Sequence, residues 1–314
     1  MEQKQRFWTG LIAMGDEIDK RSLPIKGAGW SIQFERQRRK PASVHQGREV
    51  VLYAKNWRTA QRALDLIDGC HQLLSGNPWV FSIQFIAHNA DELGWMNPKQ
   101  RQELKQQTYC TGGFPLACSV AAKASCQRTW IYAIAKYRYS MSLFSVHSAD
   151  LEPFRSPHLP VSSFPEDHLR FAHAIIAAYS AVEELGLEIR ASAKNPSLIK
   201  GQWNPVVRQE LESRLRKAGV DLAESILWTM RGTKRRTEKA RPIPFQTKAP
   251  WSAWEVRDSD VHISDAIAYA DWLRDCVASH TIKDLTLSLS PYDVINVQHL
   301  ARRLVLESLH YWRN

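Results

Sequence analysis

The sequence predicts a mainly α protein with one short β-hairpin near its N-terminus and a helical domain in its C-terminal half. Apolar residues recur with a helical period over most of the chain from Trp57 onward. Only Gly27–Glu35 and Glu49–Lys55 are short runs rich in β-branched and aromatic residues, as strands are. Four prolines interrupt the helical pattern within residues 144–165, which predicts a boundary between two domains.

The N-terminal region, residues 1–150, carries the hairpin and then three helical segments. Their ends are indicated by glycine and proline, as in the Gly76 and Pro78 that follow the first of them. The predicted helices span residues 57–75, 97–107 and 115–142. No role for this region follows from its sequence.

The C-terminal domain, residues 165–314, is predicted to be built from five helices. The first begins at Pro165, whose fixed φ suits a first helical turn, and stops at Gly186. The others are predicted over residues 205–218, 222–230, 264–279 and 293–312.

The charge balance indicates a polyanionic partner. The chain of 314 residues has 42 Lys and Arg against 32 Asp and Glu, a formal net charge of +10, and 26 of the basic residues are Arg. The guanidinium group forms paired hydrogen bonds with phosphate, whereas the Lys ammonium acts as a point charge. Nucleic acid is therefore the expected partner, ahead of a membrane surface.

Several classes of protein find no support in the sequence. It contains no G-x-x-x-x-G-K-[ST] or G-x-G-x-x-G loop, no H-E-x-x-H and no G-x-S-x-G. The five cysteines form no C-x-x-C pair, which predicts reduced thiols and neither a metal nor a cofactor. No apolar run reaches the roughly 18 residues of a membrane span, and the N-terminus does not resemble a signal peptide. We therefore expect a cytoplasmic protein.

The last fifty residues carry a pattern with a known counterpart. Arg274, Asp275 and His280 stand late in a predicted helix, and a polar turn and a closing amphipathic helix follow them. This arrangement resembles the HEPN superfamily, whose active members carry an R-x4-6-H motif with a polar residue after the Arg. The resemblance covers about residues 165–314, and it implies an α-helical bundle there.

The resemblance also implies a chemistry. Active HEPN domains are metal-independent endoribonucleases, found among bacterial toxins and antiviral-defence effectors, and two protomers commonly form one cleft. The expected catalytic residues are Arg274, which would stabilise charge on the phosphate, His280, which would move protons, and Asp275, which would orient either of them. A homodimer, or a partner protein such as an antitoxin that holds the activity in check, is therefore expected besides RNA.

A basic segment gives the predicted RNA-binding residues. Residues 231–241 contain six basic residues and one acidic residue, for a net charge of +5. Trp228, Trp251 and Trp254 flank this segment and are candidates for stacking on unpaired bases. The predicted nucleic-acid-binding residues are Arg231, Lys234, Arg235, Arg236, Lys239, Arg241, Arg302 and Arg303.

Other interpretations of the same residues remain open. Arg274 can instead form a surface ion pair with Asp271, with His280 capping its helix. Glu183 and Glu184 are candidate orienting acids, and His299 either adds to a basic cleft beside Arg302 and Arg303 or packs in the core. Four other Arg–His pairs have a suitable spacing, and the strongest of them is Arg257 with His262.

Two other functions remain in view. The main alternative is a non-catalytic HEPN-like subunit that binds RNA or protein within a larger complex. The third is a metal-dependent DNA nuclease, for which Asp91, Glu103 and Lys105 provide a weak motif.

Overall fold

The computed structural model divides into two compact units, and more than half of the residues it describes are helical. The predicted mainly α class is therefore confirmed. The first unit is Met1–Ser75 with Trp79–Ile131, and the second is Gly76–Pro78 with Tyr132–Asn314. The described residues are 5–13, 24–36, 47–76, 114–145, 165–200, 202–231, 256–278 and 289–310.

A four-stranded antiparallel sheet forms one side of the first unit. Its strand order is β1-β4-β3-β2, and the predicted hairpin corresponds to β3 paired with β4. The hairpin is thus part of a larger sheet, because β1 pairs with the other edge of β4 and β2 folds back on β3. The strands are β1 Gln5–Ala13, β2 Ile25–Gly27, β3 Trp30–Arg36 and β4 Gly47–Ala54.

Two helices pack against this sheet. Helix α1, Trp57–Ser75, was predicted with the correct bounds, and it buries Leu64 and Ile67 among the residues that face the core. The predicted long helix over 115–142 is wrong in one respect, because it is two helices, α2 Phe114–Ala124 and α3 Arg128–Leu143. Ser125 lies at the break, where its Oγ donates to the Ala122 carbonyl and accepts from the backbone N–H of Ala28. The predicted helix over 97–107 lies outside the described residues.

The second unit is centred on three helices that contact one another. They are α4 Pro165–Glu184, α6 Ile263–Ala278 and α7 Pro291–Ser308, and all three correspond to predicted helices. Helix α3 joins them through hydrogen bonds, since Ser140 Oγ donates to the Ala174 carbonyl and Gln298 donates to Ser140.

Local capping explains two of the helix starts in this unit. Helix α5, Pro205–Lys217, follows Asn204, whose side chain accepts from the Val206 N–H. Helix α7 follows Ser290, which forms a capping box with Asp293. Proline occupies the first turn in both cases, as its fixed φ favours.

The predicted helix over 222–230 is wrong. The segment forms strand β7, Ser225–Arg231, which pairs antiparallel with β8, Val256–His262. The segment SILWTMR contains the β-branched and aromatic residues that strands favour, and its partner lies about 30 residues away, where local periodicity gives no sign of it. A second, shorter hairpin joins β5, Leu198–Ile199, to β6, Gln202–Trp203.

The division between the units does not fall in the proline-rich stretch. It falls at Ile131 and Tyr132, within helix α3, whereas the sequence placed the boundary in residues 144–165. A helix that runs through the division gives no change of composition there, so the sequence contains no sign of it.

Candidate functional site

Arg274 lies one turn before the end of α6, where that helix packs on the last turn of α4. Its guanidinium forms ion pairs with Asp271 at 2.8 Å and Asp275 at 3.0 Å on its own helix, and with Glu183 of α4 at 3.3 Å. The Arg274 side chain is 30% exposed, so the ion pairs lie at the surface of the unit without being fully solvated. We call Arg274 and these three carboxylates the Arg274 cluster.

The Arg274 guanidinium also lies over an aromatic ring. The guanidinium carbon lies 5.2 Å from the centre of the Tyr179 ring, and Tyr179 is fully buried in α4. Burial raises the pKa of the Tyr179 hydroxyl, and the nearby Asp271 carboxylate raises it further. Burial also raises the pKa of Asp271 above its usual range. For Arg274, burial disfavours the charged form, but the three carboxylates outweigh this effect and raise its pKa.

The arrangement fixes Arg274 in position and occupies much of its hydrogen-bonding capacity. Three carboxylates surround one guanidinium, so a phosphate must displace at least one of them before Arg274 can grip it with two donors. The ion pair with Asp271 that the sequence offered as the alternative interpretation is present. Of the two candidate orienting acids, Glu183 contacts Arg274, whereas Glu184 pairs with Lys136 at 2.7 Å.

The described part of α6 ends at Ala278, and His280 lies outside the described residues. Lys234, Arg235, Arg236, Lys239, Arg241, Trp251 and Trp254 also lie outside the described residues, and Arg231 is the last residue of β7.

One predicted base-stacking residue is excluded by its position. Trp228 is fully buried, and its ring packs edge to face against Tyr269 at 5.5 Å between ring centres. Trp228 therefore belongs to the core and offers no surface to a base. The alternative pair Arg257 and His262 both lie in strand β8, and His262 is exposed.

The two predicted RNA-binding arginines of α7 have different surroundings. Arg303 bonds Glu307 at 2.7 Å, pairs with Glu224 and donates to the Ser225 carbonyl at 2.6 Å, so it ties α7 to the start of β7. Its side chain is engaged within the protein. The Arg302 guanidinium lies against Gly76, and both arginines line an adjacent cleft.

This cleft, which we call the α7 cleft, has a volume of about 610 Å³ and lies where α7 faces the chain between α5 and β7. Burial lowers the pKa of His299 to about 4, and the positive charge of Arg302 contributes to the shift. Burial raises the pKa of Glu307, although Arg303 opposes this effect. The cleft is lined by Gly219, Asp221, Glu224, Ile226, His299, Arg302, Arg303, Leu306 and Glu307.

The sequence signal for the α7 cleft was partial. His299, Arg302 and Arg303 recur at helical spacing and were candidates for a basic cleft. The carboxylates that complete it were missed, because Glu224 comes from a segment predicted to be helical and Asp221 from the connection directly before it. The actual cleft is mixed in charge, with Asp221, Glu224 and Glu307 among the lining residues.

The described part of the chain contains neither a cluster of metal ligands nor a helix that could span a membrane. Within it, no group of three or more His, Cys, Asp or Glu side chains is placed to hold a metal ion. The residues of the metal-nuclease motif, Asp91, Glu103 and Lys105, lie outside it. None of the helices in the described ranges is both long enough and apolar enough to cross a membrane.

Comparison of the chain with protein-family models, with curated proteins and with solved structures finds no match.

Proposed function

We propose that the protein is a metal-independent endoribonuclease of HEPN type, with Arg274, Asp275 and His280 as its functional residues. The observation that carries the proposal is the position of Arg274. It is held near the end of the described part of α6 by helix α4, which supplies the carboxylate of Glu183, and its side chain is partly exposed. His280 follows six residues later in the sequence.

The proposed reaction needs no metal, because RNA carries its own nucleophile. The 2′-oxygen attacks the adjacent phosphorus while His280 accepts the 2′-hydroxyl proton, and the bond from phosphorus to the 5′-oxygen breaks. A proton returns to the 5′-oxygen from an acid, which leaves a 2′,3′-cyclic phosphate and a 5′-hydroxyl. Arg274 stabilises the charge that develops on the phosphate oxygens, and Asp275 positions Arg274.

The geometric relation of Arg274 to His280 depends on where the helix stops. On a continuous helix, six positions correspond to about 600°, so the two side chains would point about 120° apart. The described helix ends at Ala278, two residues before His280. The proposal therefore requires the two residues to meet either across a homodimer or, within one protomer, through a break in the helix between them.

A second function is favoured by one specific observation. Three carboxylates occupy Arg274, which is the pattern of a structural ion pair. This favours a non-catalytic HEPN-like subunit that binds RNA or a partner protein through other surfaces. The basic composition of the chain, at +10, supports RNA as a partner in either case.

The test is RNA cleavage in EDTA by the full-length protein. We expect the wild type to cut, and the His280→Ala and Arg274→Lys variants to lose at least about a hundredfold in rate, as loss of a proton-transfer group or an oxyanion donor does. The matched control is His262→Ala, which removes the exposed histidine of the alternative pair. Its rate should equal that of the wild type.

Three results would contradict the proposal. Equal cleavage by wild type and His280→Ala would show that His280 is not a catalytic residue. Cleavage that EDTA abolishes indicates a metal-dependent nuclease. RNA binding without any cleavage, unchanged in Arg274→Lys, indicates the non-catalytic subunit. A homodimer measured by light scattering would support a composite site. RNA products with 5′-hydroxyl ends would distinguish the proposed chemistry from metal-dependent hydrolysis.

A further inference from the structure

The start of helix α1, in the first unit, carries an exposed tryptophan among basic side chains. Trp57 is 55% exposed, whereas every other tryptophan side chain that the structure describes is buried or half-buried. Arg58 and Arg62 are exposed on the same helix. Because burying an indole ring is favourable, a ligand that covers Trp57 gains free energy. Nothing in the proposed ribonuclease reaction uses this surface.

The two arginines have no carboxylate partner among the described residues. Neither guanidinium forms an ion pair or a side-chain hydrogen bond with a group in the described part of the chain. The carboxylates of α1 are not directed to them, since Asp65 accepts from Gln61 at 3.3 Å and Asp68 is buried. Arg58 and Arg62 therefore have donors available for a ligand.

Helical geometry places the arginines on one exposed face of α1. Arg58 and Arg62 are separated by about 6 Å along the helix axis and about 40° around it. The opposite face holds Ala60 and Leu64, which are buried against the core. Arg58 stands in the first turn, where the helix dipole disfavours a cation, so helix stability does not explain it. Trp57 is the preceding residue, and one extended ligand can therefore contact all three side chains.

The segments beside the start of α1 add further positive charge. A methyl group on Gly29, in the turn between β2 and β3, would lie 3.7 Å from the Thr59 side chain. The backbone N–H of Ala28 donates to Ser125 Oγ at 2.8 Å, which brings the end of α2 to the same turn. Residues 24–33, 55–62 and 121–130 together contain six basic residues and no acidic residue. This part of the first unit therefore attracts anions.

The exposed side chains favour a nucleic-acid strand over a membrane surface. A helix that lies on a membrane presents several large apolar side chains on one face. Among the exposed side chains described in α1, Trp57 is the one large apolar group. A single strand instead requires a positive surface for its phosphates and an aromatic ring on which a base can stack.

We propose that Trp57, Arg58 and Arg62 form a binding site for single-stranded RNA. The indole stacks on one unpaired base, and the two guanidinium groups bind phosphates of the same strand. A duplex fits this site less well, because its bases are already stacked on one another. The proposal rests on the proposed function only in taking RNA as the strand, and it gives the first unit the role of holding the substrate.

Binding of a strand that cannot be cleaved tests the site apart from the ribonuclease reaction. The probe is a fluorescein-labelled 2′-O-methyl RNA of about twelve nucleotides without self-complementary sequence. Its blocked 2′-oxygen cannot attack phosphorus. By fluorescence anisotropy with the full-length protein, Trp57→Ala should bind this strand about tenfold more weakly than the wild type. Trp57→Phe, which keeps an aromatic ring, should recover most of the affinity.

A strand of the same length without bases separates stacking from charge. Trp57→Ala should bind the abasic strand like the wild type, because only the phosphates remain. Replacing Arg58 and Arg62 with Gln together should weaken the binding of both strands. It should also lower the slope of log affinity against log salt concentration by about 1.4, since each phosphate contact contributes about 0.7.

Two controls match these variants. Tyr139→Ala removes an exposed aromatic ring from α3, outside the proposed site. Replacing Arg170 and Arg216 with Gln removes the same amount of charge from arginines that already pair with carboxylates. Both controls should bind the 2′-O-methyl strand like the wild type. Equal losses in the controls and in the matching variants would overturn the proposal.

The remaining outcomes separate this site from other functions. Unchanged strand binding in Trp57→Ala overturns the site, and it indicates a membrane contact if the same variant no longer pellets with phosphatidylserine vesicles. The arginine variant still reports on the site if Trp57→Ala fails to fold. RNA cleavage without base-dependent binding through Trp57 overturns this site alone. Base-dependent binding without RNA cleavage overturns the ribonuclease and leaves the strand-binding site.

Discussion

Arg274 forms ion pairs with three carboxylates. It neutralises part of the repulsion among Asp271, Asp275 and Glu183, which lie on two helices. The contribution of Arg274 to the free energy of unfolding can therefore be measured separately from any role in catalysis.

Replacing Arg274 with Ala should lower the free energy of unfolding by about 1–3 kcal/mol at pH 7. The cause is the repulsion of three carboxylates left without their common partner, moderated by the partial exposure of the site. Urea denaturation measures it. The control is Arg190→Ala, which removes one exposed pair with Glu188 and should change stability by much less than Arg274→Ala does. Equal losses in the two variants would refute the cluster's structural role.

His299 should make the folded protein sensitive to acid. Its pKa is about 4 in the folded protein against 6.5 for an ordinary histidine, so the unfolded chain takes up the proton first as the pH falls. Stability is therefore lost progressively as the pH falls from 6.5 towards 4. Between pH 7 and pH 5 this single group should cost about 2 kcal/mol.

Urea denaturation of His299→Gln at both pH values isolates the effect. The variant should lose about 2 kcal/mol less than the wild type between pH 7 and pH 5. The carboxylates with raised pKa, such as Glu307 and Asp271, act in the opposite direction, but they do so in both proteins. His262→Gln, at an exposed position, is the control. The same loss of stability in His299→Gln and wild type would contradict the assignment.

Strand β7 depends on a side chain from α7. Asn296 is buried, and its amide both accepts from the Thr229 N–H at 3.0 Å and donates to the Thr229 carbonyl at 2.6 Å. These two bonds satisfy backbone groups that β8 does not pair, so the amide substitutes for a neighbouring strand.

Asn296→Leu should therefore destabilise the protein by about 2–4 kcal/mol, because two buried backbone groups lose their partners. Thermal unfolding with urea denaturation measures the loss. The control is Thr229→Val, which removes only the hydrogen bond from Thr229 Oγ1 to Asp258 and should cost about 1 kcal/mol. A smaller loss in Asn296→Leu than in Thr229→Val would rule out this role for the amide.

The helices with a long apolar stripe were predictable, and the strands that depend on distant partners were not. Helix α1 and helix α4 show their period and their stop signals within twenty residues of sequence. Strand β1 pairs with β4, more than thirty residues away, and β7 pairs with β8 at a similar separation. Pairing across such distances is a tertiary effect, which local propensity does not encode.

The same limit applies to the candidate site: contacts within one helix were predictable, and contacts between distant segments were not. The contact of Arg274 with Asp271 follows from the i,i+3 spacing within α6, whereas its contact with Asp275, the next residue, does not. Its contact with Glu183 bridges two helices that are about 80 residues apart along the chain. The α7 cleft needs Asp221 and Glu224 beside a helix that starts at Pro291, so its mixed charge could be seen only in the folded structure.

The basic residues of the chain differ in whether a carboxylate neutralises them. In the described ranges, the arginines that form ion pairs with carboxylates include Arg6, Arg170, Arg190, Arg208, Arg214, Arg216, Arg274 and Arg303. The segment 231–241 has a net charge of +5 in the sequence, with a single acidic residue to offset it. We expect this segment, more than the paired arginines, to supply the contacts with RNA phosphates.

Replacing Arg235, Arg236 and Lys239 with Gln together should reduce the salt dependence of binding to single-stranded RNA. Each phosphate contact contributes about 0.7 to the slope of log affinity against log salt concentration, so the slope should fall by about 2. Filter binding across a salt series measures it. The control replaces Arg170, Arg208 and Arg216, which already pair with carboxylates, and it should leave the slope unchanged. An equal fall in both triple variants would mean that RNA is attracted by net charge alone, and an unchanged slope in the first would remove the segment from the interface.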